Sequence, residues 1–191
     1  MFPVNVPNVL TVLRILLVPV LVVALLDATP SGDLLAAIVF AVASLTDLLD
    51  GYLARTRDSI TTFGKLMDPI ADKLLIVAAL VALVSLDRLA AWVAMVIIAR
   101  EFAVSGLRVA AGQQGVVIPA SPLGKVKTVV QVAAILAVIT TEAAWAQVLL
   151  YVAVLITIVS GADYFLNFRR RIEEARERIA SERGSVRPSA R

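Results

Sequence analysis

The chain has 191 residues, 60% hydrophobic and 17% charged, with a net charge of +3 and neither cysteine nor histidine. That balance excludes an ordinary soluble domain and points to an all-α, polytopic membrane protein. Without cysteine or histidine there is no disulfide, no thiol nucleophile and no zinc site of the usual donors, so a general base has to be a carboxylate, a lysine or a tyrosine.

Six segments approach the roughly 20 apolar residues that a bilayer crossing requires. They fall at about 8–26, 34–54, 66–86, 89–110, 124–142 and 146–168, so six transmembrane helices are expected. Residues 1–168 read as one membrane domain. Residues 169–191 read as a charged tail, helical beside anionic headgroups in its first half and disordered at its end. The start, MFPVNVPN, lacks a basic region and a small-residue cleavage site, so the first segment reads as a retained span. Within it Asn8, Thr11 and Arg14 are three apart and share a helix face. Asn8 has a second reading as a helix cap, with Pro7 in the first turn. Arg14 lies inside an apolar run, where it needs an anionic or carbonyl partner.

The densest chemistry lies at residues 47–72, DLLDGYLARTRDSITTFGKLMDPIAD. Asp47 and Asp50 are three apart, and Asp68 and Asp72 are four apart, so each pair occupies one helix face. Four carboxylates between apolar helices need a compensating partner, and a divalent cation held by oxygen is the simplest one. Gly51 and Ala54 leave room beside the first pair, and Arg55 complements a phosphate. Pro69 removes the N–H that would bond the Lys65 carbonyl, which loosens the backbone there.

Further along, Arg100 sits deep in the fourth segment and reads as a cavity-facing phosphate ligand, with Glu101 as a partner for an arginine. Arg108 reads either as a further ligand or as a side chain that snorkels to the interface. Lys125 and Lys127 open the fifth segment, either as interfacial anchors or as part of a basic pocket with Arg100. In the sixth segment Ser160, Asp163 and Asn167 form a polar stripe that either supports the site or contacts neighbouring helices.

The run matches D-x2-D-G-x2-A-R-x8-G-x3-D-x3-D at Asp47, Asp50, Gly51, Ala54, Arg55, Gly64, Asp68 and Asp72. It resembles the signature of the CDP-alcohol phosphotransferases, integral membrane enzymes of phospholipid synthesis. The blocks N-x-P-N-x-L-T-x-x-R, R-E-F-x-x-S-G-L-R and G-K-x-K-T-x-x-Q resemble those of the phosphatidylglycerophosphate synthase branch. The resemblance runs from Asn5 to about Arg170. It implies a six-helix domain that dimerises, with a cavity open to lipid, and transfer of a phosphatidyl group from CDP-diacylglycerol to glycerol 3-phosphate. It also implies two divalent cations, Mg2+ or Mn2+, on Asp47, Asp50, Asp68 and Asp72, with Asp72 as the base. Asn8, Thr11, Gly51, Arg55 and Thr61 are implied for CDP-diacylglycerol. Arg100, Lys125, Lys127 and Arg108 are assigned to glycerol 3-phosphate. Other acceptors within the family remain open, as do a divalent-cation transporter and a non-catalytic scaffold. No nucleic-acid partner is expected.

Apart from Arg88, the basic residues map to one side of the six spans. The positive-inside rule then places both termini and the acidic motif on the cytoplasmic face of the plasma membrane. The chain has no cysteine of its own, so labelling tests this cleanly. A cysteine placed at Ser31 or Glu142 is expected to react with an impermeant thiol reagent from outside the cell, and one at Ser59 is not. The reverse pattern would invert the orientation.

Overall fold

Short polar breaks divide the apolar sequence into helices. The computed structural model describes residues 6–57, 62–113 and 122–185. These form α1 (Val6–Leu26), α2 (Pro30–Arg57), α3 (Thr62–Ser85), α4 (Ala91–Gln113), α5 (Pro122–Thr140) and α6 (Ala144–Ser185), with no strand among the described residues. Among these residues α1, α5 and α6 carry stretches long and apolar enough to cross a membrane: Val9–Leu26, Pro122–Thr140 and Ala144–Arg170. In α2 the apolar stretch is Pro30–Thr46, which ends just before Asp47. The charged residues of the candidate site stand on α2, α3, α4 and the start of α5. The chain is thus a multi-pass helical membrane protein.

The outer surface agrees with a lipid environment. Leu16, Val23, Leu34, Met95, Leu155 and Leu166 stand largely exposed, a surface that would associate in water and is solvated by acyl chains in a bilayer. Inside, Leu21, Leu25, Phe40, Leu80, Leu83, Val93, Ile97 and Ile139 are buried in one cluster. Small residues lie among them: Ala36, Ala43, Ala79, Ala134, Ala146 and Ala153. Lipid is as apolar as leucine, so close approach at small residues drives helix association here. α1 packs on α2 and α3, α4 and α5 pack on α6, and α5 also packs on α2.

The turns are built for tight reversals. Thr29 caps α2, its Oγ1 accepting from the Gly32 N–H at 3.1 Å, and Pro30 follows as the first helical residue. A Cβ on Gly32 would lie 2.6 Å from the Ala24 carbonyl oxygen, so only glycine lets α2 start this close to α1. α3 ends with Asp87 in the left-handed region, φ 56°. The Asp87 N–H bonds Val84 and the Arg88 N–H bonds Leu83, which closes the helix end with a paired Schellman arrangement.

α6 has 42 residues, so it is about 60 Å long and exceeds the roughly 30 Å hydrocarbon core. It passes the expected domain boundary at residue 168 without a break and continues as helix to Ser185. The expected disordered end, residues 186–191, lies outside the described residues.

The three hairpin turns gather at one end of the bundle around Arg88. Its Nη1 and Nη2 donate to the two carboxylate oxygens of Asp33 at 2.7 and 2.9 Å, and its Nε lies 3.7 Å from Glu142. Gln147 Nε2 donates to the Arg88 carbonyl at 2.9 Å. The bond to Asp33 raises the Arg88 guanidinium above its already high range, so it stays charged. A bidentate, part-buried pair of this kind is stronger than an exposed one. Asp33→Asn is expected to destabilise the fold by about 1–3 kcal/mol, read as a lower unfolding midpoint in detergent. Arg88→Met added to Asp33→Asn is expected to cost less than the two separate losses together. Strictly additive losses would show that the pair contributes nothing.

Candidate active site

With one end tied at Arg88, the acidic motif and the basic blocks fall towards the other. Asp47, Asp50, Gly51 and Arg55 stand in the last turns of α2, and Asp68 and Asp72 in the first half of α3. The side chains of Asp47, Asp50, Arg55 and Asp68 lie outside the described residues, as does that of Asn8, while Thr61 lies outside them altogether. Among the described residues no group of three or more acids, histidines or cysteines forms a metal cluster.

A cavity of about 310 Å3 opens between α2, α3, α4 and α5. Its polar lining is Ser44, Asp72, Lys73, Glu101, Lys127, Thr128 and Gln131, and the rest is apolar, with Leu75, Ile76 and Leu136. Asp72 is part-exposed, and Lys73 Nζ lies 3.6 Å from its Oδ2, beyond hydrogen-bonding distance. The carboxylate therefore keeps lone pairs for a proton or a cation.

Opposite α3, the basic side chains are organised by one acid. Lys127, almost fully buried, donates to Glu101 Oε1, and Arg100 Nη1 lies 3.8 Å from the same oxygen. Arg100 points away from the cavity towards α6, where its Nη2 donates to Ser160 Oγ at 2.8 Å. Ser160 in turn donates to the Thr157 carbonyl at 3.3 Å. Gly161 makes this possible, because a Cβ there would come within 3.2 Å of Arg100 Cγ. The buried Arg100 Nε and Tyr164 Oη have no hydrogen-bond partner among the described residues.

The structure thus brings Asp72, Lys127 and Glu101 to one cavity, with Arg100 directly behind. It does not bring Lys125 or Arg108 into it. Lys125 is exposed, and Arg108, also exposed, lies 5.7 Å over the Tyr164 ring in a cation–π contact. On α1 both Thr11 and Arg14 are buried. Of the polar stripe on α6, Ser160 turns to Arg100, while Asp163 accepts from Asn167 at 3.0 Å within the helix. Lys73, Ser44 and Gln131 carried no assignment in the sequence. Gln131 had a signal there, as the last residue of the G-K-x-K-T-x-x-Q block, one turn beyond Lys127.

A membrane-embedded helical bundle with a carboxylate and a buried cation facing one cavity is the class that fold and site define. Residues 4–159 match the family model described as CDP-alcohol phosphatidyltransferase, and the chain belongs to that family. A relative from Bacillus subtilis (strain 168) is 42% identical over 180 residues, covering 84% of this chain and 93% of its own. One from Rickettsia felis is 38% identical over 169 residues, with the same coverage of both chains. Both are named CDP-diacylglycerol--glycerol-3-phosphate 3-phosphatidyltransferase.

Among the described residues Glu101 is the acid that lies against both the buried Lys127 and the part-buried Arg100, so its charge is expected to hold this part of the bundle. Glu101→Gln keeps the size and removes the charge, which leaves Lys127 uncompensated. A loss of about 3–5 kcal/mol is expected, measured as a lowered unfolding midpoint in detergent. Adding Lys127→Met should recover a large part of it. An unchanged midpoint in Glu101→Gln would remove the pair from the structural account.

Proposed function

We propose that this protein transfers the phosphatidyl group from CDP-diacylglycerol to sn-glycerol 3-phosphate, giving phosphatidylglycerophosphate and CMP. The observation that carries the reading is the single cavity in which the Asp72 carboxylate and the buried Lys127 both take part. A base and a phosphate-binding cation in one small enclosure suit an acceptor that has both a hydroxyl and a phosphate. The names of the relatives support the same acceptor.

In this reading Asp72 takes the proton of the primary hydroxyl of glycerol 3-phosphate. The oxygen attacks the phosphorus that carries diacylglycerol, and the bond to the CMP oxygen breaks. Lys127, held by Glu101, takes the acceptor phosphate, with the Arg100 charge behind it. Lys125 and Arg108, exposed on the helices that carry these two, draw the anion in. Asn8, Thr11, Gly51, Arg55 and Thr61 receive the CDP-lipid.

Asp47, Asp50, Asp68 and Asp72 would hold two divalent cations, Mg2+ or Mn2+. The donor set fits such ions, since it is all oxygen and the Asp72 carboxylate lines the cavity with no hydrogen-bonded partner among the described residues. When bound, the ions withdraw charge from a diphosphate and stabilise the leaving nucleotide. The site faces the cytoplasm at the plasma membrane, both termini lie on that side, and the protein acts as a homodimer.

The test is CMP release by purified protein from labelled CDP-diacylglycerol, offered glycerol 3-phosphate, inositol 1-phosphate, serine or phosphatidylglycerol. Glycerol 3-phosphate is expected to be the preferred acceptor. EDTA should abolish release, and Mg2+ or Mn2+ should restore it. Asp72→Asn should lower turnover by roughly 10²–10⁴-fold with CDP-diacylglycerol binding largely kept. Preference for another acceptor would overturn the assignment of the alcohol, and full activity in EDTA would overturn the metals.

A further inference from the structure

Among the polar residues of the cavity that the proposed reaction does not use, two are buried. Gln131 on α5 is 2% exposed and Ser44 on α2 is 8% exposed, and both line the cavity. Neither Gln131 Oε1 nor Ser44 Oγ has a hydrogen-bond partner among the described residues. A buried polar atom left without a partner costs about 1–3 kcal/mol, so an unpaired acceptor and an unpaired hydroxyl on two residues that line one cavity call for a ligand.

Their position says which part of a ligand. Gln131 follows Lys127 by four residues on α5, one turn on and on the same face. Ser44 precedes Asp47 by three residues on α2, one turn further from the acidic end of that helix. Both lie one turn deeper than the charges. Gln131 Oε1 is an acceptor, so it does not suit an unprotonated phosphate oxygen. Gln131 Oε1 needs a donor, which an ester carbonyl of the lipid does not provide and a hydroxyl does. Ser44 Oγ can both accept from a hydroxyl and donate to it.

Resting on the acceptor proposed above, we propose that Gln131 and Ser44 bind the hydroxyl of the acceptor that does not react. Glycerol 3-phosphate carries two hydroxyls. With its phosphate at Lys127 and its primary hydroxyl at Asp72, the secondary hydroxyl meets the two free groups. The pair therefore selects a diol phosphate over a simple alcohol phosphate. A site built to hydrogen-bond a hydroxyl rejects the analogue without it, because its own polar groups then stay unpaired.

The experiment compares glycerol 3-phosphate with 3-hydroxypropyl phosphate, which lacks only the secondary hydroxyl, in CMP release by the full-length protein. The unmodified protein should use the analogue with a kcat/KM lower by at least about ten- to a hundredfold. Gln131→Leu should lower kcat/KM for glycerol 3-phosphate by a comparable factor and leave that for the analogue within about threefold. Ser44→Ala, which removes a single oxygen, should act in the same direction and carries the comparison if Gln131→Leu does not fold. An unmodified protein that uses both acceptors equally well would overturn this inference and leave the proposed function standing. Variants that lose activity equally on both acceptors would also overturn it, placing the pair in the fold or against the lipid substrate. CMP release with neither acceptor would overturn the proposed function and this inference together.

Discussion

A buried ammonium in a lipid-embedded bundle persists only beside a counter-charge, and Lys127 has that counter-charge in Glu101. Much of the site's arrangement depends on this pair. Glu101 also lies beside Arg100, which is pressed against α6 at Gly161 and bonded to Ser160. Among the described residues α6 contributes no side chain to the cavity, yet through Arg100 it helps set where α4 presents Glu101 and so where α5 presents Lys127. Three helices are linked by polar contacts that lipid makes stronger, because the alternative for each group is an unpaired charge in a medium of low dielectric.

The two ends of the bundle divide the labour. At the Arg88 end a bidentate ion pair and tight helix caps satisfy the local charges and hold three hairpin turns together. At the other end the charges are only partly satisfied. Asp72 has Lys73 at 3.6 Å, and among the described residues Ser44 Oγ and Gln131 Oε1 have no hydrogen-bond partner. Such a division is expected of a functional site, where local satisfaction is given up and the rest of the fold makes good the loss.

Much of the architecture was legible in the sequence. Apolar segments bounded by Gly, Pro and charge marked all six helices to within a few residues, apart from the long extension of α6. That extension was harder to read, since a charged, apolar-poor helix past Phe168 carries little periodic signal. The basic blocks were less legible still. The block leaves Lys125 and Lys127 open as interfacial anchors or as one basic pocket, yet residues two apart point to different sides of a helix, so one is exposed and the other buried. Arg108 found an aromatic face on α6 that no spacing within α4 could reveal. The acidic motif was recognisable from spacing, because its members are close in sequence on two consecutive helices.

By itself, then, the sequence determined the helical class, the membrane environment, the cluster of acids and the family, because each of these depends on composition or on spacing within one or two helices. The tertiary structure decided which cation of the basic blocks lines the cavity, which acid holds it, and that Ser44 and Gln131 line the same space as Asp72. Those facts depend on how α2, α3, α4 and α5 are rotated against one another, and α6 helps set that rotation through Ser160 and Gly161. Helix rotation in a membrane is set by packing of small residues and by pairing of buried charges across helices, and neither is encoded in the spacing of any single segment.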